Sequence, residues 1–134
     1  MKSTYQSLVD AAFAAQKNAY APYSNFHIGA ALLTRDGHTV IGANIENASY
    51  GLTLCGERNA VFSAYAQGYR KEDIVALAIV SDSNPVASPC GACRQVLIEL
   101  LEENTPVILA SSKGGYQETS AKELLPFAFT KEQL

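Results

Sequence analysis

The chain has 134 residues, which is the length of one ordinary domain. Its 10 Lys and Arg against 13 Asp and Glu give a formal net charge of −3, so bulk charge does not favour nucleic acid as a partner. Residues 74–80 form the longest apolar run, far shorter than the ~20 residues of a membrane span. The N-terminus lacks the features of a secretory signal, which predicts a cytoplasmic protein with no membrane partner.

Hydrophobic periodicity predicts alternating helices and strands along the chain. In chain order we predict a helix from Ser3 that ends before Pro22, strands over 28–34 and 39–41, a helix over 54–66, a strand over 74–80, a helix from Ser88, strands over 106–110 and 116–119, and a short helix over 121–125. This order favours a mixed sheet with helices on both faces, in one layered α/β domain.

Four local signals support these elements. Ser3 and Gln6 have the spacing of a capping box, and Asp36-Gly37 is a strong hairpin turn. Ser88 before Pro89 has the pattern of an N-cap followed by a proline in the first helical turn. The uninterrupted apolar run at 74–80 predicts a central strand that is covered on both faces.

Three cysteines carry the chemical signal of the sequence. Cys55 lies at the start of one predicted helix, and Cys90 and Cys93 lie three residues apart at the start of another. That spacing lets both sulfurs face one ion, while free N–H groups at helix starts favour the thiolate form. An odd number of cysteines in a reducing compartment indicates metal or catalytic chemistry before disulfides.

The ligand set predicts an open zinc site. Three cysteines are present, and neither His27 nor His38 has the spacing of a fourth ligand, so water would complete the coordination. Glu57 follows Cys55 by two residues. Cys-x-Glu and Pro-Cys-x-x-Cys together match the three-cysteine form of the zinc-deaminase signature, in which the Glu is an acid and base and not a ligand.

Each motif alone has a simpler interpretation. Cys90 and Cys93 also fit two small apolar residues on a helix stripe, or a redox pair. Glu57 alone also fits a solvated carboxylate on a helix. The conjunction of the two motifs, each opening a helix, favours zinc chemistry.

The sequence resembles a known family, the zinc-dependent cytidine deaminases, and closely the short homotetrameric type with three cysteines. The resemblance spans nearly the whole chain and is carried by YAPYS at 20–24, FHIGAA at 26–31, NIENASY at 44–50, CGER at 55–58, PCGACRQ at 89–95 and LLP at 124–126. Gly56 departs from the Ala that is usual in the family; the N–H remains, but the helix start becomes more flexible.

The resemblance implies a three-layer αβα sandwich with a mixed five-stranded sheet, forming a single catalytic domain over residues 1–134. It implies one Zn²⁺ per subunit on Cys55, Cys90 and Cys93, with Glu57 as the proton shuttle. The implied reaction is hydrolytic deamination of cytidine, and of 2′-deoxycytidine, to uridine or deoxyuridine and ammonia in pyrimidine salvage. The implied partners are a small nucleoside and further copies of the chain in a homotetramer.

The same resemblance implies a set of substrate-binding residues. Phe26 would pack on the nucleoside, Asn44 and Glu46 would bind the ribose hydroxyls, the Gly56 N–H would contact the pyrimidine carbonyl, and the Ser88 backbone carbonyl would lie near the leaving amine; Ala48, Tyr50 and Phe129 would complete a neighbouring subunit's pocket. From spacing alone, Asn44 and Glu46 fit a capped strand end equally well, and an aromatic such as Phe26 is more often core.

Neutral water is a poor nucleophile, and in the reaction that the resemblance implies a bound zinc ion would activate it for attack at C4 of the pyrimidine. Three thiolates around Zn²⁺ leave one net negative charge, which weakens its Lewis acidity. Arg58 lies three positions past Cys55, where its guanidinium could donate to a thiolate and tune the zinc. A surface cation on a helix is the alternative interpretation of Arg58.

Two other functions remain open from the sequence. One is a related deaminase that acts on another cytosine-containing compound, although the Asn44-Ile45-Glu46 segment disfavours an antibiotic substrate and the lack of a Lys/Arg cluster disfavours nucleic acid. The other is a structural zinc module, in which Glu57 would be dispensable and a protein ligand would fill the fourth zinc position.

Overall fold

The computed structural model describes residues 1–134. It contains four α-helices and five strands, in the order α1 (Ser3–Gln16), β1 (Gly29–Thr34), β2 (Thr39–Ala43), α2 (Gly56–Ala66), β3 (Ile74–Ser81), α3 (Gly91–Leu100), β4 (Pro106–Ser111), β5 (Tyr116–Ser120) and α4 (Ala121–Leu124). None of the helices combines the length and apolar character that a membrane span requires.

The strands form one mixed sheet in the order β2-β1-β3-β4-β5. The β3–β4 pair is parallel and the other pairs are antiparallel. The parallel pair needs a long crossover, which α3 supplies. The predicted central position of residues 74–80 is confirmed, because β3 lies in the middle of the sheet and is buried along nearly its whole length.

Helices cover both faces of the sheet, as predicted. The helix α1 packs on one face through Tyr5, Leu8, Val9 and Ala12, against the small side chains of the inner strands. The other three helices pack on the opposite face, where Val61, Leu97 and Leu124 join the larger apolar cluster. The three-layer αβα arrangement is therefore confirmed.

The predicted hairpin and helix end are also confirmed. The strands β1 and β2 pair in antiparallel register around a turn in which Gly37 has a φ of +91°. Gly68 has a φ of +99° just after α2, the left-handed conformation that glycine adopts at little cost.

Both hydroxyl caps predicted from the sequence are wrong. Ser3 is the first residue of α1 and not its cap, and the Gln6 side chain donates to Asp10 at 2.9 Å instead of reaching back to the helix start. The helix α3 begins at Gly91, with Cys90 at the N-cap. The hydroxyl of Ser88 accepts a hydrogen bond from Arg94 Nη2 at 2.8 Å, so it is not available as a cap.

A close approach between α2 and β2 fixes the place of the cysteine motif on α2. A Cβ atom at Gly42 would lie 2.5 Å from the Ala60 nitrogen and 2.6 Å from the Gly56 carbonyl oxygen. Only a glycine lets the helix backbone rest directly on the strand at this point. The start of α2 is thereby held beside the end of β2, where Asn44 and Glu46 follow.

Candidate active site

The three cysteines converge where the starts of α2 and α3 meet. Cys55 is the N-cap of α2, Cys90 is the N-cap of α3, and Cys93 lies in the first turn of α3. Their sulfur atoms all lie within 4.8 Å of one another. The two chain segments, with 34 residues between Cys55 and Cys90, thus form one group of potential metal ligands.

The group fits zinc by both geometry and chemistry. Tetrahedral coordination with Zn–S bonds of about 2.3 Å separates the sulfurs by roughly 3.8 Å. The Sγ atoms of Cys90 and Cys93 are 3.5 Å apart. Three soft sulfur ligands, with no histidine or carboxylate in the group, match a three-ligand site with one open position.

The electrostatics of the group favour a thiolate at Cys55. A hydrogen bond from the Cys93 thiol, together with the Arg58 guanidinium, lowers the pKa of Cys55 to about 5. The same hydrogen bond to Cys55, together with burial, raises the pKa of Cys93. Without metal, Cys55 therefore carries the negative charge and Cys93 keeps its proton.

Arg58 contacts the cluster and is not a free surface cation. Its Nη2 atom donates to Cys55 Sγ at 3.3 Å, and this contact raises the pKa of the guanidinium. Its Nε atom is buried without an acceptor, so the side chain retains one unused hydrogen-bond donor at the site. This placement supports the hypothesis that Arg58 offsets thiolate charge.

Glu57 is buried beside the sulfurs, which excludes the interpretation of a solvated helix carboxylate. The residue is 4% exposed. Burial raises the pKa of its carboxyl, and the nearby charge of Cys55 acts in the same direction. A carboxyl in such surroundings is suited to both accepting and releasing a proton.

A cavity of about 320 Å³ connects Glu57 and two of the cysteines to four of the eight predicted substrate-binding residues. Its predicted lining residues are Phe26, Asn44, Glu46, Cys55, Glu57, Ser88 and Cys90. Sequence reasoning gave no binding role to the other lining residues: Ser24, Ile28, Thr53, Ile79, Ser81, Ala87 and Pro89. The cavity volume is within the range of small-molecule sites.

Asn44 fixes the segment that carries Phe26. Its Oδ1 atom accepts from the Ile28 N–H and its Nδ2 atom donates to the Phe26 carbonyl, both at 2.8 Å. The side chain is buried, and each polar atom retains capacity for one further hydrogen bond. Asn44 therefore shapes the cavity wall as well as facing it.

Glu46 is oriented by the backbone and side chain of a loop more than 20 residues away. Its carboxylate accepts from the N–H groups of Tyr23 and Ser24, at 3.0 and 3.1 Å, and from the Ser24 hydroxyl. The hydroxyl of Ser24 is the main cause that lowers the pKa of Glu46. Ser24 thus holds an ionised carboxylate at the cavity wall.

Gly56 lies against Ile28 at the start of α2. A Cβ atom at Gly56 would lie 2.9 Å from Ile28 Cγ2 and 3.1 Å from the Ile28 carbonyl oxygen. The corresponding first residue of α3, Gly91, has open space, with nothing within 4 Å of the same position. Packing with Ile28 therefore accounts for the glycine in this chain.

Four of the predicted substrate residues do not line the cavity of their own chain, and Gly56, buried at the start of α2, is one of them. Ala48, Tyr50 and Phe129 are exposed and do not line it. Tyr50 packs edge-on against Tyr23 with ring centroids 6.1 Å apart. The Gln95 side chain donates to the Phe129 carbonyl at 2.8 Å, which anchors the tail.

The two histidines do not join the metal ligands, as predicted. The His27 ring lies 3.0 Å from an Asp82 carboxylate oxygen. The His38 ring lies 2.7 Å from the Tyr69 hydroxyl near the hairpin turn.

We expect Gly56→Ala to lower the free energy of unfolding by about 1 kcal/mol, because overpacking against Ile28 outweighs the gain in helix propensity. Gly91→Ala is the matched control, and we expect it to be neutral or slightly stabilising. Chemical denaturation of both variants measures the difference. Equal changes in the two variants would show that Ile28 does not exclude a side chain at Gly56.

Comparisons with known proteins agree with this geometry. The family model for the cytidine and deoxycytidylate deaminase zinc-binding region matches residues 2–109. A cytidine deaminase from Halalkalibacterium halodurans is 53% identical over 129 residues, covering 96% of each chain. A cytidine deaminase from Sporosarcina psychrophila is 49% identical over 120 residues, covering 90% of this chain and 87% of the relative.

Solved structures extend the likeness to the fold. The crystal structure of cytidine deaminase from Burkholderia pseudomallei matches with a TM-score of 0.91 and 51% identity, covering 96% of this chain and 100% of that one. The solved structure shares the fold of this chain, and the residues matched by the family model include all three cysteines. This chain therefore belongs to the zinc-binding cytidine and deoxycytidylate deaminase family.

Proposed function

We propose that the protein catalyses the zinc-dependent hydrolytic deamination of cytidine to uridine and ammonia, and of 2′-deoxycytidine in the same way, within pyrimidine salvage. The observation that carries this proposal is the buried carboxyl of Glu57 in the wall of the cavity that also exposes Cys55 and Cys90. The family and the relatives named cytidine deaminase support the choice of substrate.

Cys55, Cys90 and Cys93 would hold the zinc ion, which the geometry of their sulfurs fits. When bound, zinc supplies a Lewis acid that makes water a competent nucleophile at neutral pH. Arg58, at 3.3 Å from the Cys55 sulfur, offsets part of the thiolate charge.

Glu57 moves the protons of the reaction. Its carboxylate accepts a proton from the attacking water and delivers a proton to N3 of the ring. The C4–O bond has formed by this point; Glu57 then takes the proton of the C4 hydroxyl and delivers it to the amine, and the C4–N bond breaks as ammonia leaves. The raised pKa of Glu57 suits this alternation, because the carboxyl holds a proton more readily than an exposed one.

The remaining cavity residues orient the nucleoside. Phe26 offers an aromatic face, and Asn44 and Glu46 present hydrogen-bonding groups for the ribose hydroxyls. The Gly56 N–H is proposed to donate to the pyrimidine carbonyl. The Ser88 carbonyl is proposed to accept from the leaving amine.

A structural zinc module fits these observations less well. A structural site is closed by a fourth protein ligand, whereas the ligand group contains three residues and adjoins an open cavity. A deaminase for another cytosine-containing compound remains the alternative function, and a substrate panel distinguishes it from the proposed one.

We expect Glu57→Gln to retain zinc and bind cytidine but to lose turnover by several orders of magnitude, because the amide cannot carry a proton between steps. Uridine release from zinc-loaded protein measures turnover, and metal analysis measures zinc. Glu118→Gln, an exposed change on β5, is the control with wild-type turnover expected. Inactive, zinc-replete wild type would defeat the proposed function, and an active Glu57→Gln would remove Glu57 from catalysis.

We expect Ser24→Ala to raise the KM for cytidine by about tenfold with little change in kcat, because Glu46 loses its hydroxyl donor. The same change should raise the pKa of Glu46, so that the variant loses substrate binding at a higher pH than wild type as the carboxylate protonates. Steady-state kinetics and a carboxyl-carbon NMR titration test both effects. Ser7→Ala, exposed on α1, is the control; an unchanged KM would show that Ser24 does not orient Glu46.

We further propose a homotetramer whose pockets are completed by neighbouring subunits through Ala48, Tyr50 and Phe129. Exposed apolar side chains support this arrangement, with Tyr50 74% and Phe129 60% exposed. Side chains of this size gain free energy when a second copy covers them.

We expect chains with Phe129→Ser and chains with Glu57→Gln, each impaired alone, to recover activity when co-expressed. In mixed tetramers, a pocket with intact Glu57 can receive Phe129 from a neighbour. Sedimentation gives the assembly state, and turnover of the co-expressed mixture gives the recovery. A monomer with full activity, or no recovery of activity in mixed assemblies, would contradict the proposal that Phe129 completes the pocket of a neighbouring subunit.

A further inference from the structure

Arg94, on the first turns of α3, binds three acceptors from two separate segments. Its Nε atom donates to the Pro89 carbonyl at 2.7 Å and its Nη2 atom to the Ser88 hydroxyl at 2.8 Å. Its Nη1 atom donates to the Leu124 carbonyl at 2.6 Å. No carboxylate pairs with this cation, and its three hydrogen bonds all go to the 88–89 loop and to the end of α4.

The end of α4 supplies the third acceptor. The helix stops at Leu124, and Pro126 lacks the N–H that a continued helix needs. The carbonyl of Leu124 is left at the negative end of the helix without a helical partner, where a guanidinium is a favourable donor. The LLP segment at 124–126 thereby acquires a role: it anchors Arg94.

The hydrogen bonds from Arg94 leave the backbone carbonyl of Ser88 without a donor. Ser88 and Pro89 line the cavity and directly precede Cys90. The Ser88 hydroxyl and the Pro89 carbonyl are occupied by Arg94, whereas the Ser88 carbonyl accepts no hydrogen bond from any group of the chain. A free carbonyl on a fixed loop is a preorganised acceptor for a ligand.

We propose that Arg94 is a positioning residue that holds the Ser88 carbonyl toward the amine that leaves the pyrimidine. This inference rests on the proposed deamination. As the amine is protonated and departs, its N–H groups gain positive charge, and a carbonyl acceptor binds them more strongly than in the ground state. The contribution of Arg94 therefore belongs to the transition state more than to substrate binding.

Lysine cannot replace Arg94 in this role. The planar guanidinium reaches three acceptors in fixed directions at once, whereas an ammonium is a single point on a flexible stem. Arg94→Lys keeps the positive charge but loses the planar group with several donors. The variant therefore separates positioning of the loop from a general electrostatic effect on the cysteine sulfurs.

We expect Arg94→Lys and Arg94→Gln to lower kcat for cytidine by about 10- to 100-fold while KM stays within about threefold. Ser88→Ala, which removes one of the three contacts, should lower kcat by about threefold. Arg35→Gln is the matched control, because Arg35 also donates to a backbone carbonyl, that of Glu72 at 3.0 Å, but lies away from the cavity. Full kcat in Arg94→Lys would overturn the proposal.

Two further readouts separate positioning from a purely structural role. Zinc content and the absorbance of the cobalt-substituted protein should match wild type in Arg94→Lys; loss of metal with parallel changes in kcat and KM would assign Arg94 to the metal site. A pyrimidine riboside with a 4-methoxy group releases methanol in place of ammonia, and we expect its turnover to fall by at most about threefold. Equal losses on both substrates would overturn the proposal, whereas an inactive wild type would instead defeat the proposed function.

Discussion

The active site depends on one electrostatic constraint, the placing of three cysteine sulfurs within 4.8 Å of one another. Three thiolates at this distance repel each other strongly in a partly buried site. The positive ends of α2 and α3, the Arg58 guanidinium and a divalent cation all act against that repulsion. The meeting of two helix starts is therefore as necessary to the site as the cysteines, and it depends on the close approach of α2 to β2 at Gly42.

The same surroundings give two cavity carboxyls opposite properties. Glu57 is buried beside thiolate charge, so its pKa is raised and the carboxyl can hold a proton. Glu46 accepts hydrogen bonds from Ser24 and from two backbone N–H groups, so its pKa is lowered and it stays ionised. Environments that push two carboxyl pKa values apart suit them to different tasks, which supports the proposed proton transfer by Glu57 and the proposed recognition of hydroxyl groups by Glu46.

Periodicity and turn chemistry predicted the fold well, because the hydrophobic pattern decides which face of each element is buried. The cysteine and glutamate motif could be found because each half of it is local: Glu57 follows Cys55 by two residues, and Cys93 follows Cys90 by three. The failures concern polar side chains that bind partners other than those their local sequence pattern suggests. Ser88 looks like a cap until Arg94 is seen to bind its hydroxyl, and Ser24 reaches Glu46 across 22 residues. Local propensity carries no information about such pairs.

The helix that carries Cys93 also anchors the C-terminal segment. Arg94 binds the Leu124 carbonyl, and the next residue, Gln95, binds the Phe129 carbonyl. Because both contacts leave from one turn of α3, the position of Phe129 is tied to the metal centre of its own chain. If Phe129 completes a neighbouring pocket, as proposed, then the helix that shapes one metal centre also sets the wall of the next active site. A disturbance of α3 would then affect two catalytic sites, so activity in the assembly would fall faster than the fraction of altered chains.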